Sequence, residues 1–230
     1  MMNPQILVEL QESMGNDLAI AKAAWTSSLS LDLQELKTDQ DVERIVNMLA
    51  DKKHSVPFES VVFRFWIRMP IQTDRQHMTH RIASHSGLSG RYRTMPNDWL
   101  HVPDDVIDIL SKFNAEEVIG KACESMCSQA NTAYQAMLSI TKINRDNGTI
   151  TPDEYKRVRE YVRGILPLNN MTERVTIINL RSFANYYKLR SELDAQPEIQ
   201  QVANSMFTEI VNKNICPIAI KALEVNNWII

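Results

Sequence analysis

The densest run of chemistry-bearing side chains lies between Arg75 and Arg93. These nineteen residues hold four arginines, three histidines (His77, His80, His85) and three serines (Ser84, Ser86, Ser89). Gly87 and Gly90 let the backbone come close to a bound group. Arginine matches the planar, bidentate geometry of phosphate oxygens, and Ser89 and Arg91 add further donors. The stretch from Gln76 to Tyr92 therefore reads as a nucleotide-phosphate loop. A solvated basic loop would show the same composition.

Two later segments carry related chemistry. Arg163 stands near the end of a helix, ahead of Ile165-Leu166-Pro167-Leu168. Its plain alternative is surface charge beside a buried turn. In the segment 179–190, Arg181, Asn185 and the turn near Arg190 fall close to one helical face. Its plain alternative is a polar helix face. Spacing alone separates neither pair of readings.

Taken together these segments resemble the flavin-dependent thymidylate synthases, the ThyX family. That family's signature is Arg-His-Arg, seven residues, then Ser, with Arg-Tyr shortly after. Here Thr79-His80-Arg81 is followed by seven residues and then Ser89-Gly90-Arg91-Tyr92. The likeness extends over most of the chain. Segment 8–28 is similar to the family's N-terminal strand, turn and helix, and 54–71 to its His-x-Thr-Pro-Phe-Glu loop and following strand. Segments 163–169, 179–190 and 195–201 follow in family order.

The resemblance implies a transfer of one carbon from 5,10-methylenetetrahydrofolate to C5 of dUMP, with hydride from FAD recharged by NADPH. It implies a homotetramer with shared active sites. Gln76, Ser89, Gly90, Arg91 and Arg163 match positions for the nucleotide phosphate and sugar, and Arg190 the position facing the pyrimidine ring. His80, Arg81, Asn179, Arg181 and Asn185 match flavin contacts, with Ser27 and Glu59 more peripheral. His54 matches a histidine near flavin and folate, so Arg190, Ser89 and His54 form the expected catalytic set. The departures cluster on the flavin side. Thr79 replaces the first signature Arg, Ser86-Gly87 the usual Asn-Glu, Val56 a Thr, and Asp194 a His.

A donor-only guanidinium such as Arg190, at N3 and O2 of uracil, stabilises the negative charge that makes C5 nucleophilic. It would equally suit cytosine, whose N3 already accepts, so dUMP and dCMP both stay open. Three functions follow: a thymidylate synthase, a dUMP or dCMP 5-hydroxymethylase in which water quenches the methylene intermediate, and a non-catalytic nucleotide-binding homologue.

The elements that must position these residues are mostly helical. The expected strands are 5–12, 61–69 and 173–179. Expected helices begin at Leu18, within 39–53, at 71–83, and over 115–142, 151–165, 180–193 and 197–213, with a helical tail to Leu223. Strands far apart in sequence among many helices suit an α/β or α+β domain, here a mostly antiparallel central sheet flanked by helices. With 230 residues, 44% of them hydrophobic, one ThyX-like domain over 1–230 is expected.

The net charge of -3 argues against a general nucleic-acid binder. No apolar stretch approaches a membrane span, and the first residues lack a signal-peptide pattern. Three cysteines (Cys123, Cys127, Cys216) without framework spacing point to a reducing, cytoplasmic setting. Cys123 and Cys127 lie four apart with no other metal-ligating residue near, so they are read as small buried hydrophobes and no metal is expected.

Overall fold

The computed structural model describes residues 5–229. Its four strands are β1 (Leu7–Met14), β2 (Val62–Pro70), β3 (Ser84–Gly87) and β4 (Met171–Asn179), ordered β1-β2-β4-β3 in one sheet. Ten helices accompany them among the described residues: α1 (Asp17–Trp25), α2 (Leu31–Glu35), α3 (Asp39–Asp51), α4 (Ile71–His77), α5 (Asp104–Ser111), α6 (Glu116–Asp146), α7 (Pro152–Val162), α8 (Leu180–Arg190), α9 (Pro197–Asn212) and α10 (Pro217–Val225). This mixture of helix and antiparallel sheet is the architecture expected from the sequence.

The described chain divides into two compact units. One gathers Gln5, 68–75 and 87–173; the other gathers 6–67, 76–86 and 174–229.

In the second unit, β2 alternates as its sequence predicts. Phe63, Phe65 and Ile67 are fully buried while Arg64 and Trp66 are half-buried. Phe183 of α8 meets that buried face edge-on to Phe63 and stacked on Phe65, with ring centroids 6.1 and 6.4 Å away. Helix α8 is thereby fixed directly behind β4, and Asn179 joins the two. It ends the strand and caps the helix, accepting a 2.8 Å hydrogen bond from the Ser182 amide.

In the first unit, Met95, Tyr134, Leu138 and Val162 form a buried cluster between α6, α7 and the loop after Tyr92. The Tyr134 hydroxyl accepts from the Met95 amide at 3.1 Å, which pins that loop. Thr151 caps α7 with a reciprocal box: its Oγ accepts from the Glu154 amide and the Glu154 carboxylate accepts from the Thr151 amide.

Several expectations shift. Helix α3 starts at Asp39, with Thr38 as its cap, the Thr38 hydroxyl accepting from the Asp41 amide. Residues 84–87, expected as loop, form the edge strand β3. Helices α2 and α5 have no counterpart among the expected elements. Of the cysteines, Cys127 and Cys216 are buried but Cys123 is exposed. Cys127 falls on the packed stripe of α6 with Asn131, Tyr134 and Leu138, and Cys123 lies just off it.

Candidate active site

Within the second unit, a cavity of about 590 Å3 opens between the loop after α4 and one face of α8. Thr79, His80, Arg81 and Ile82 form one wall. Ile178, Arg181, Ser182, Asn185, Leu189 and Arg190 form the other. Positions 181, 185 and 189 recur at four-residue spacing, so a single helical face delivers them.

Arg190 is held at one corner. Its Nη2 donates to Thr79 Oγ1 at 2.9 Å and its Nε to His80 Nε2 at 3.3 Å. Thr79 Oγ1 in turn donates to the Gln76 carbonyl at 2.7 Å. Burial, then the Arg190 charge, then His85 push the His80 pKa down to about 4. The ring is thus neutral near pH 7. Because Nε2 accepts from Arg190, the proton sits on Nδ1.

The cavity is cationic. Arg81, Arg181 and Arg190 line it, and Glu59 lies 2.6 Å from Arg181. Ser182 Oγ is buried in the wall with no hydrogen-bond partner among the described residues. A buried hydroxyl rarely stays unpaired, so an acceptor or donor entering this cavity would complete it. Guanidinium donors, an orphaned hydroxyl and apolar Ile82, Ile178 and Leu189 together fit an anionic group carrying a flat ring.

The other expected residues fall elsewhere. Ser89, Gly90, Arg91 and Arg163 come together in the first unit. The Ser89 carbonyl accepts from the Tyr92 and Arg93 amides at 3.1 and 3.0 Å, closing a tight turn. A Cβ on Gly90 would stand 3.0 Å from Arg163 Cδ, so the bare glycine is what lets the Arg163 stem lie against this turn. Arg91 is engaged by Glu160, with Nε 2.7 Å from Oε1. A phosphate binding here must take Arg91 over from that carboxylate.

Gln76 belongs to the second unit, and its Nε2 donates to Gln196 Oε1 at 2.5 Å. Ser27 and His54 are both exposed and line a separate cavity of about 610 Å3 in that unit, beside Trp25, Lys53 and Val56. Ser86 and Gly87 lie exposed on β3, and Asp194 is exposed in the turn after α8; none of the three lines the Arg190 cavity. Sequence reasoning missed Ser182, Glu160, Thr176 and the buried pairing of Thr176 with His77.

Residues 9–218 match the family model described as thymidylate synthase complementing protein. The chain belongs to this family. Among its thymidylate synthase relatives, the flavin-dependent enzyme of Thermotoga neapolitana is 34% identical over 197 residues, covering 85% of this chain and 81% of that one. The flavin-dependent enzyme of Pseudothermotoga lettingae is 31% identical over 212 residues, covering 91% and 86%. A crystal structure of the UMP/dUMP methylase PolB from Streptomyces cacaoi, bound with 5-Br dUMP, superposes with a TM-score of 0.76. It is 25% identical and the match covers 96% of this chain and 95% of that one. The family resemblance read from the signature segments is therefore borne out, and every expected site residue lies inside the matched span.

Proposed function

We propose that the chain is an FAD-dependent thymidylate synthase that methylates C5 of dUMP to dTMP, using 5,10-methylenetetrahydrofolate and NADPH. The observation that carries the reading is the cationic cavity in which Thr79 and a neutral His80 hold Arg190. It belongs to a chain whose relatives are flavin-dependent thymidylate synthases.

Arg190 supplies fixed N–H donors to the pyrimidine edge, stabilising the charge that makes C5 nucleophilic. Because its two protein contacts leave the rest of the guanidinium fork unassigned, the group can meet the ring without reorganising. Gln76, Ser89, Gly90, Arg91 and Arg163 hold the phosphate and sugar in this reading. His80, Arg81, Arg181, Asn185 and the orphaned Ser182 hydroxyl hold the flavin, with Asn179 setting the start of their helix. Thr79 enters the flavin wall as the anchor of Arg190. Ser27, His54 and Glu59 serve the flavin and folate more peripherally, and Ser86, Gly87 and Asp194 retain at most an outer flavin contact. When bound, FAD recharged by NADPH supplies the hydride that completes the methyl group. Ser89 and His54 complete the proposed catalytic set.

The reading includes a homotetramer with shared sites, a single ThyX-like domain and a cytoplasmic setting. Among the described residues no helix is long and apolar enough to cross a membrane.

The test is a product assay. The purified chain is mixed with methylenetetrahydrofolate and dUMP, UMP or dCMP, with and without NADPH, and products are weighed by mass spectrometry. A methylated dUMP that requires NADPH is expected. A 5-hydroxymethyl product formed without NADPH would overturn the methylation reading, and bound nucleotide with no product would overturn catalysis.

A further inference from the structure

We propose that His77, Thr176 and His85 are positioning residues for His80 and Arg190, acting through one hydrogen-bonded chain of fixed polarity. The proposal rests on the reading that Arg190 meets the nucleotide. None of the three lines the Arg190 cavity.

The chain begins at Tyr186. Its hydroxyl lies 2.9 Å from His77 Nδ1, and His77 Nε2 lies 2.8 Å from Thr176 Oγ1. Thr176 Oγ1 lies 3.1 Å from His85 Nδ1, and His85 Nε2 lies 3.4 Å from the carbonyl oxygen of His80.

A consistent assignment of protons along this path starts from its far end. A carbonyl only accepts, so His85 donates from Nε2. In the His85 tautomer that carries its proton on Nε2, Nδ1 accepts and Thr176 is the donor. A threonine hydroxyl has one proton, so its oxygen accepts from His77 Nε2–H. His77 Nδ1 then accepts from the Tyr186 hydroxyl. This one polarity satisfies all four contacts, and Tyr186, His77 and Thr176 are each at most 1% exposed. Burial also holds His77 neutral, well below its ordinary pKa, as one donor plus one acceptor requires. A buried network satisfied at every member specifies a single geometry.

That geometry reaches His80 from two directions. His85 holds its carbonyl, and the Tyr186 ring packs edge-on to its imidazole with centroids 4.7 Å apart. His80 Nε2 is the acceptor for Arg190 Nε. Where the chain places His80, the guanidinium follows.

Thr176→Val tests this, because it keeps the side-chain shape and removes only the hydroxyl. It removes the hydroxyl partner of the buried His77 Nε2 and breaks the link to His85. We expect kcat for dUMP methylation to fall about tenfold, with KM for dUMP changing less. The 15N imidazole signals of His80 should shift away from the Nδ1–H tautomer pattern. Thr176→Ser, which restores the hydroxyl, should recover both. His85→Phe, at a half-exposed position on β3, should reproduce the loss if Thr176→Val does not fold. A folded Thr176→Val or His85→Phe protein with unaltered kcat and unaltered His80 signals would overturn the proposal. If the unmodified protein neither binds nor methylates dUMP, the reading of the cavity fails instead, and the 15N signals still decide the positioning role.

Discussion

His80 is where most of the site's interactions converge, and its protonation state has a measurable consequence. Its pKa lies near 4 in the fold against 6.5 for an ordinary histidine, and His77 is also held well below 6.5. Both shifts are downward and caused first by burial, so the unfolded chain binds more protons than the folded one between those values. Stability should therefore rise as pH climbs from about 4 through 6.5, then level off, and be lost as pH falls. Thermal melts across that range should show the climb, and His77→Gln should flatten it. A melting temperature indifferent to pH would mean that folding lowers the pKa of neither imidazole. At this scale the sequence was legible where residue type carries the chemistry. Arg81 stood out within the basic run and Arg181, Asn185 and Arg190 as one helical face, the resemblance supplied their roles, and all four share one cavity. Ser182 was not, because a lone serine in a helix gives no sign of being buried without a partner. Glu160 was not, because its pairing with Arg91 joins distant segments of the chain.

At the scale of elements, the site depends on turns that hold strands and helices at fixed distances. Gly15 joins β1 to α1 at φ +81°, a left-handed conformation, and a Cβ there would lie 2.2 Å from the Ser60 carbonyl oxygen. The obstruction is backbone immediately ahead of β2, so no side chain can swing away. Gly15→Ala should destabilise the fold by about 2–4 kcal/mol, from strain and overpacking together. Urea unfolding measures it, and a loss under about 0.5 kcal/mol, the usual range for a surface change, would show that the turn can relax. Elements were legible where a period ran long enough. The alternation of β2 and the Thr-Pro-Asp-Glu start of α7 were both readable. β3 was not, since four polar residues carry no alternation and become a strand only by pairing with β4. α5 was hidden because Pro103-Asp104-Asp105 reads as a turn, yet two acidic residues in a first turn also suit a helix N-terminus.

At the scale of the whole molecule, the chain passes back and forth between its two units five times, so neither is a contiguous piece of sequence. The matched family span runs through both. Composition could not show this division, because it arises from contacts between segments that are distant in the chain. The exposed face of α6 bears on the proposed tetramer. Ile119, Met126, Ile140 and Ile143 stand 42%, 72%, 61% and 62% exposed along it, a run of large apolar residues that water solvates poorly. A second copy laid against this face would match apolar to apolar. The double change Met126→Lys with Ile140→Lys should therefore lower the assembled mass measured by light scattering toward the 26.4 kDa of one chain. It should do so without unfolding the chain, since both side chains are exposed within it. An assembled mass unchanged by these two lysines would place the contact between copies on another face.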